Sequence, residues 1–367
     1  MERNLMKGNE ALAEAAIRAG CKCFFGYPIT PQTEISAYMA KRMPKVGGVF
    51  LQAESEIAAI NMVYGCSSSG VRCMTSSSSP GISLKSEGVS YMAGSDLPCV
   101  IVNVMRGGPG LGGIQPSQSD YWQATRALGH GDFQILVFAP SSVQEMADYI
   151  GRAFDEADKY RMPAMILADG LLGQMMEPVT FRTEEIQHHD PSEKPWATTG
   201  HKNRRKHNIV NSLYLQAEEL ERLNFERFKR YETVKQELHE AELYRTEDAD
   251  IIVTAYGSVA RLAKAAVDSA REQGIKAGLF RPITLWPFPV QEINVACRNA
   301  KRVLCVEMSM GQMIEDVKLA LDCRLPVEFY GRTGGVIPKP SEILEQIKTL
   351  AKEAEWYAGF QQAARAY

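Results

Sequence analysis

The sequence has no run of about 18 apolar residues, so no membrane-spanning helix is expected. It has no basic excess: the formal net charge is -3, which argues against a nucleic-acid partner. Its opening residues, Met1-Glu2-Arg3-Asn4-Leu5-Met6-Lys7, contain no apolar stretch of signal-peptide length, so a cytoplasmic protein is expected. No Gly-Lys dipeptide occurs, which excludes a Walker A phosphate loop. None of the eight cysteines (Cys21, Cys23, Cys66, Cys73, Cys99, Cys297, Cys305, Cys323) forms a C-x-x-C pair. Cys21-Lys22-Cys23 comes nearest and lacks further ligands at iron–sulfur spacing. Most of these thiols lie in apolar runs and read as reduced core residues, with no cluster and no metal site on this chain. Internal repeats and low-complexity segments are also missing.

What is present is 367 residues of soluble composition, 45% hydrophobic and 23% charged, a length that favours two cores. Residues 1–180 alternate helical patterns (9–18, 33–42, 56–65, 82–93, 143–160) with short apolar strands (23–26, 49–51, 71–75, 100–105, 137–140, 164–168). Apolar strands separated by helices predict an α/β domain, a parallel sheet with helices on both faces. Residues 181–247 read as a linker carrying a long charged helix over 213–244, with Leu213, Ala217, Leu220, Leu223 and Phe228 as a partial apolar stripe. Such a helix serves as a connector packed across both domains or as a partner-binding arm. The basic cluster at 202–206 is short and isolated and reads as a solvated turn. Residues 248–367 form a second α/β unit, with strands near 250–256, 276–280, 302–306 and 329–331.

Glu56 is the residue most in need of a reason. It stands where the apolar run Val49-Phe50-Leu51 gives way to a helical pattern containing Ile57, Ile60, Met62 and Val63. A carboxylate drawn inside there must pair, protonate or grip a ligand. Three loops that follow strands accompany it. Tyr27-Pro28-Ile29-Thr30-Pro31 is stiffened by two prolines, as a rigid turn or as a ligand loop that limits where the Thr30 hydroxyl can go. Thr75-Ser76-Ser77-Ser78-Ser79-Pro80-Gly81 reads as a loop whose hydroxyls face an anion or cap the next helix. Arg106 ends a strand, where ligands bind in open parallel sheets, and offers a fork for a carboxylate or for a structural ion pair. The Gly108-Pro109-Gly110-Leu111-Gly112-Gly113 run fits a dinucleotide pattern only superficially, because Pro116 argues against a helix starting there.

Taken together, Gly26-Tyr27-Pro28-Ile29-Thr30-Pro31, the segment 52–70 with Glu56, Gly65 and Gly70, Met74 to Gly81, Met105-Arg106-Gly107-Gly108-Pro109-Gly110 and Gly129-His130-Gly131-Asp132-Phe133 resemble the α-subunit family of 2-oxoacid:ferredoxin oxidoreductases. The likeness covers nearly the whole chain. The wording from Arg106 to Asp120 is most similar to the branched-chain (3-methyl-2-oxobutanoate) type. The resemblance implies a thiamin-diphosphate-enzyme pyrimidine-binding domain at 1–180. It also implies a transketolase C-terminal-like domain at 248–367, carried by Arg281 to Pro289 and Val306 to Gln312.

The resemblance further implies an enzyme subunit that is inactive without its partners. This chain would hold the aminopyrimidine end of thiamin diphosphate, with Pro28, Ile29 and Glu56 as cofactor contacts. A β subunit would hold the diphosphate and Mg²⁺. The absence of Gly-Asp-Gly, which opens the diphosphate signature, agrees with that division. Iron–sulfur and γ-type subunits would carry [4Fe-4S] clusters and pass electrons to ferredoxin, and CoA would take the acyl group. Glu56 would be catalytic, sharing a proton with the ring nitrogen N1′, a task that a raised pKa serves and burial promotes. Thr30 and Arg106 would bind the carboxylate end of the 2-oxo acid. Glu54 is the rival carboxylate, which the family spacing to Gly65 and Gly70 disfavours. Three other readings stay open: a 2-oxoglutarate-using α subunit, a lipoamide-linked dehydrogenase subunit, and a non-catalytic assembly subunit on the same fold. The 27–31 loop and the 129–133 segment speak against the lipoamide reading.

Overall fold

A computed structural model of the chain describes residues 3–183 and 185–365. The first half runs β1 (Asn4–Lys7), α1 (Gly8–Arg18), β2 (Cys23–Gly26), α2 (Thr33–Arg42), β3 (Val49–Gln52), α3 (Glu56–Ser68), β4 (Cys73–Ser77), α4 (Pro80–Gly94), β5 (Val100–Met105), β6 (Leu136–Phe138), α5 (Val143–Tyr160), β7 (Ala164–Asp169), α6 (Gly170–Gln174) and β8 (Met176–Val179). Then come α7 (Ala217–Glu237), β9 (Ala241–Tyr244), β10 (Ile251–Thr254), α8 (Gly257–Glu272), β11 (Ala277–Pro282), β12 (Thr284–Trp286), α9 (Val290–Ala296), β13 (Arg302–Glu307), α10 (Met313–Ala320), β14 (Val327–Gly331) and α11 (Pro340–Arg365).

The larger sheet has the order β12-β6-β7-β5-β4-β2-β3, parallel except for β12. Its central strands β4, β5 and β7 are buried along their whole length, so they read as unbroken apolar or small-residue runs. The smaller sheet has the order β14-β13-β10-β11-β9, with β9 antiparallel at the edge. A two-stranded ribbon, β1 with β8, ties the beginning of the chain to the end of the first α/β unit. Strand β12 leaves the second half of the chain and pairs with β6, so the larger sheet is completed by residues far away in sequence.

The charged linker differs from the sequence reading. Its helix covers 217–237 and not 213–244, and 241–244 is an edge strand of the second sheet. The half-buried backbone of β9 finds its partner in β11, which outweighs helix propensity in Ala241-Glu242-Leu243-Tyr244. The buried face of α7 is also not the expected apolar stripe: Arg227, Tyr231 and Val234 face inward, whereas Leu213, Leu220 and Phe228 are exposed. Arg227 donates to Asp96 and to the Gly94 carbonyl, so a salt bridge anchors this helix where a leucine would be expected. Five cysteines are buried, Cys23 and Cys66 are half-buried, and Cys323 departs from the expected pattern by being exposed. Among the described residues no helix is long and apolar enough to cross a membrane.

Candidate active site

Strands β2, β3, β4 and β5 are parallel neighbours, so their carboxyl ends lie along one sheet edge, where ligands of open α/β sheets bind. The four segments singled out from the sequence all leave that edge. The 27–31 loop follows β2, Glu56 opens α3 after β3, Ser78 and Ser79 follow β4, and Arg106 follows β5.

Glu56 is the first residue of α3 and is 6% exposed. Ser55 is the N-cap, its hydroxyl accepting from the Ala58 amide at 3.1 Å. Capping by Ser55 leaves the Glu56 carboxylate with no intrahelical task, and among the described residues it has neither a hydrogen bond nor an ion pair. It faces α4 at Gly81. A Cβ built on Gly81 would stand 2.6 Å from Glu56 Oε1 and 2.1 Å from Ser77 Oγ. Only the bare glycine lets the acid side chain occupy that space. The rival Glu54 is exposed.

Polar atoms without partners gather on the same edge. The Thr75, Ser77 and Ser78 hydroxyls and Arg106 Nε are buried and make no hydrogen bond within the chain. Buried polar groups are normally paired with protein, ligand or ordered water, so this edge offers free donors and acceptors to whatever occupies it.

Arg106 is 7% exposed. Its guanidinium donates to the Thr30 carbonyl at 2.9 Å and the Leu111 carbonyl at 3.2 Å. No carboxylate pairs with it among the described residues, so the structural ion pair considered from sequence is not what holds this cation. Thr30 is brought to Arg106 by its backbone; its side chain is exposed. Pro28 is exposed and Ile29 half-buried on the same loop. The loop is pinned at its base by Gln32, whose amide donates to the Tyr27 carbonyl at 3.2 Å and accepts from the Ser76 hydroxyl at 2.5 Å. Asn9 holds it from below, donating to the Pro31 carbonyl at 2.8 Å.

The serine run differs from the loop expected over 75–81. Thr75, Ser76 and Ser77 complete β4, while Pro80 and Gly81 already belong to α4. Ser79 does not cap that helix with its side chain. Its hydroxyl donates to Asp120 Oδ2 at 2.6 Å and accepts from the Arg106 amide at 3.0 Å. Asn103 donates to the same Asp120 oxygen at 2.9 Å. Burial pushes the Asp120 carboxyl above the usual range against these two donors. Ser79 sits at φ +24°, a strained conformation held by this network. Gln32, Asn103 and Asp120 carry no local signal in the sequence, because their importance lies in contacts across the sheet, and the partners of Ser79 lie there too.

The glycine run after Arg106 is a closed turn, with the Gly113 amide donating to the Gly107 carbonyl at 2.9 Å, and no helix begins there. The second α/β unit packs against the residues that follow. Gln118 donates to the Tyr256 carbonyl at 2.9 Å and accepts from the Met308 amide at 3.0 Å. Tyr121 donates to Asp316 at 2.6 Å. Among the described residues no group of three or more His, Cys, Asp or Glu is arranged to hold a metal ion.

Residues 14–249 match the family profile described as pyruvate flavodoxin/ferredoxin oxidoreductase, thiamine diphosphate-binding, and residues 249–343 match pyruvate:ferredoxin oxidoreductase core domain II. The chain is 49% identical over 354 residues to the ketoisovalerate oxidoreductase subunit VorB of Methanothermobacter marburgensis, covering 96% of this chain and 99% of that one. It is 39% identical to the 2-oxoglutarate synthase subunit KorA of Methanothermobacter thermautotrophicus, covering 94% and 98%. Among solved structures, the 2-oxoglutarate:ferredoxin oxidoreductase from Magnetococcus marinus, with 2-oxoglutarate, coenzyme A and succinyl-CoA bound, superposes with a TM-score of 0.85 at 28% identity. The match covers 95% of this chain and 65% of that longer one. A split-gene transketolase shares the fold at a TM-score of 0.59 and 14% identity. The chain belongs to the 2-oxoacid:ferredoxin oxidoreductase family, as a subunit built on the thiamin-diphosphate-enzyme fold of a pyrimidine-binding unit followed by a transketolase-like C-terminal unit.

Proposed function

We propose that this chain is the pyrimidine-holding half of an active site that oxidatively decarboxylates 3-methyl-2-oxobutanoate with CoA, yielding acyl-CoA, CO₂ and reduced ferredoxin. The observation that carries the reading is the buried Glu56 carboxylate, without a hydrogen bond among the described residues, against the bare Gly81, on the same sheet edge as the Arg106 cation, which has no carboxylate partner there. The residues fit a flat aminopyrimidine ring: an acid for N1′, seated against the bare Gly81, and free hydroxyls on Thr75, Ser77 and Ser78. When bound, thiamin diphosphate supplies the carbon nucleophile that attacks the 2-oxo group.

The chain's own residues then have distinct tasks. Glu56 holds the proton shared with N1′, on a side chain that is 6% exposed. Arg106 takes the carboxylate of the 2-oxo acid, its Nε being free and its two terminal nitrogens braced on carbonyls. Thr30 fixes that guanidinium through its carbonyl and presents its side chain to the substrate side. Pro28 and Ile29 shape the loop wall against the ring.

The diphosphate, Mg²⁺ and the [4Fe-4S] clusters belong to partner subunits in this reading. The chain lacks Gly-Asp-Gly, and the edge that carries Glu56 is fringed by exposed apolar side chains (Leu51, Ile57, Leu84, Leu111, Ile114), as suits an edge covered by another protein chain. The branched-chain substrate rests on the 49% identity to a ketoisovalerate oxidoreductase subunit. A substrate panel on the co-purified complex tests it. Preference for 3-methyl-2-oxobutanoate is expected, and preference for 2-oxoglutarate would reassign the chain to its other relatives. Loss of 2-oxo-acid-dependent dye reduction in Glu56→Gln is expected, and full activity would leave only an assembly role.

A further inference from the structure

Helix α4 presents Gly81, Lys85, Gly88 and Met92 on one buried face, at the i, i+4, i+7, i+11 spacing of a helix stripe. That face packs on α3. Gly81 meets Glu56, and a Cβ on Gly88 would stand 2.5 Å from the Ile60 side chain, so the two helices approach closely. Between these two glycine contacts lies Lys85, fully buried at 0% exposure. Its ammonium has one hydrogen-bond partner among the described residues, the backbone carbonyl of Glu56 at 3.5 Å. It makes no ion pair with the Glu56 carboxylate, which stays free on the Gly81 side. A leucine or methionine would fill the same space without the cost of a buried charge. Burial pulls the Lys85 ammonium down to about 8 from its ordinary 10.5, and the charge on Glu56 pushes the other way, so the two groups sense one another.

We propose that Lys85 is a positioning residue for the Glu56 chemistry: a cation fixed behind the first turn of α3 that holds that turn by the Glu56 carbonyl and biases the shared proton toward the ring nitrogen. The inference rests on the assignment of Glu56 to thiamin diphosphate. An ammonium at this place favours the proton lying on N1′ over its lying on the carboxyl, by simple Coulomb attraction to the carboxylate. It does so without competing for the oxygen that faces the ligand.

The test uses the complex co-purified with its partner subunits, in four forms: wild type, Lys85→Met, Glu56→Gln and the double variant. Three quantities are read: kcat and KM for the 2-oxo acid, the rate of hydrogen exchange at C2 of bound thiamin diphosphate without substrate, and the melting temperature of the cofactor-free complex. K85M is expected to lower kcat and the exchange rate by about tenfold or more. KM should change by less than about threefold, and the cofactor-free melting temperature should hold or rise. In the E56Q background the same change should alter neither rate by more than about twofold, because the group it acts through is gone. An equal loss from K85M in both backgrounds would overturn the proposal, as would wild-type kcat and exchange in K85M alone. A fully active E56Q would instead overturn the Glu56 assignment on which the proposal rests. If K85M does not assemble, Lys85→Gln carries the same comparison.

Discussion

The Glu56 carboxylate fills the space that a side chain on residue 81 would need: a Cβ on Gly81 would lie 2.6 Å from Glu56 Oε1. The acid and the glycine sit on different helices, α3 and α4, and each explains the other. A carboxylate can be buried at the start of α3 because α4 begins without a side chain.

Gly81→Ala therefore costs more than its helix position suggests. An exposed helical Gly→Ala change gains up to about 1 kcal/mol, but here the methyl group would collide with Ser77 Oγ and Glu56, and overpacking costs about 1–3 kcal/mol. Activity is expected to fall by about tenfold or more as Glu56 is displaced, since misplacement of this order can cost about a hundredfold. Gly65→Ala is the control, because a Cβ there meets nothing within 4 Å. It should leave activity unchanged and raise stability slightly. Melting curves and steady-state rates on both variants check the contrast.

Arg106→Met should raise KM for the 2-oxo acid by about tenfold to a hundredfold, the worth of a charge-assisted hydrogen bond. Affinity for thiamin diphosphate should change little, since the ligand proposed for this cation is the substrate carboxylate. A variant that loses cofactor affinity and keeps KM would place Arg106 elsewhere in the site.

Asp120→Asn should loosen the same corner. Two donors, the Ser79 hydroxyl and the Asn103 amide, converge on one Asp120 oxygen, and the substitution exchanges that charged acceptor for a weaker neutral one. The expected cost is about 1–3 kcal/mol of stability. KM should also rise, because the Ser79 hydroxyl accepts from the Arg106 amide. Denaturant titration together with KM for the 2-oxo acid checks both effects.

Lys85 gives a pH signature. In the folded chain it loses its proton at about 8, and in the unfolded chain at about 10.5. Between those values the unfolded state binds more protons, so folding stability rises with pH, and the penalty of the buried charge is present in full below about 8. Wild type should gain on K85M by about 3 kcal/mol across that window. A difference that stays flat with pH would mean that Lys85 is not held as a buried ammonium.

Much of this site is legible in the sequence because it lies in strand-to-helix turns. The burial of Glu56 and the lack of a helix after the glycine run both follow from local pattern. β5 and α5 have the bounds the periodicity predicts, since each is bounded by clear breaks in the apolar pattern. The misses are tertiary. β9 is charged enough to read as helix until β11 pairs with it, and β12 completes a sheet from across the chain. Nothing local marks Lys85 as a buried cation in Ile82-Ser83-Leu84-Lys85-Ser86. Its place in the Gly81–Lys85–Gly88 stripe was the available signal, and it gains meaning only once α3 is known to lie on that face. The contact of Arg106 with the Thr30 carbonyl is of the same kind, a backbone partner that no side-chain pattern announces.

The proposed sharing of a proton between Glu56 and the cofactor ring is read from the rate of C2 hydrogen exchange in bound thiamin diphosphate. Measured without substrate in the reconstituted complex, Glu56→Gln should slow exchange by about a hundredfold or more, in the range of a lost general acid–base group. Exchange at the wild-type rate in that variant would contradict the account.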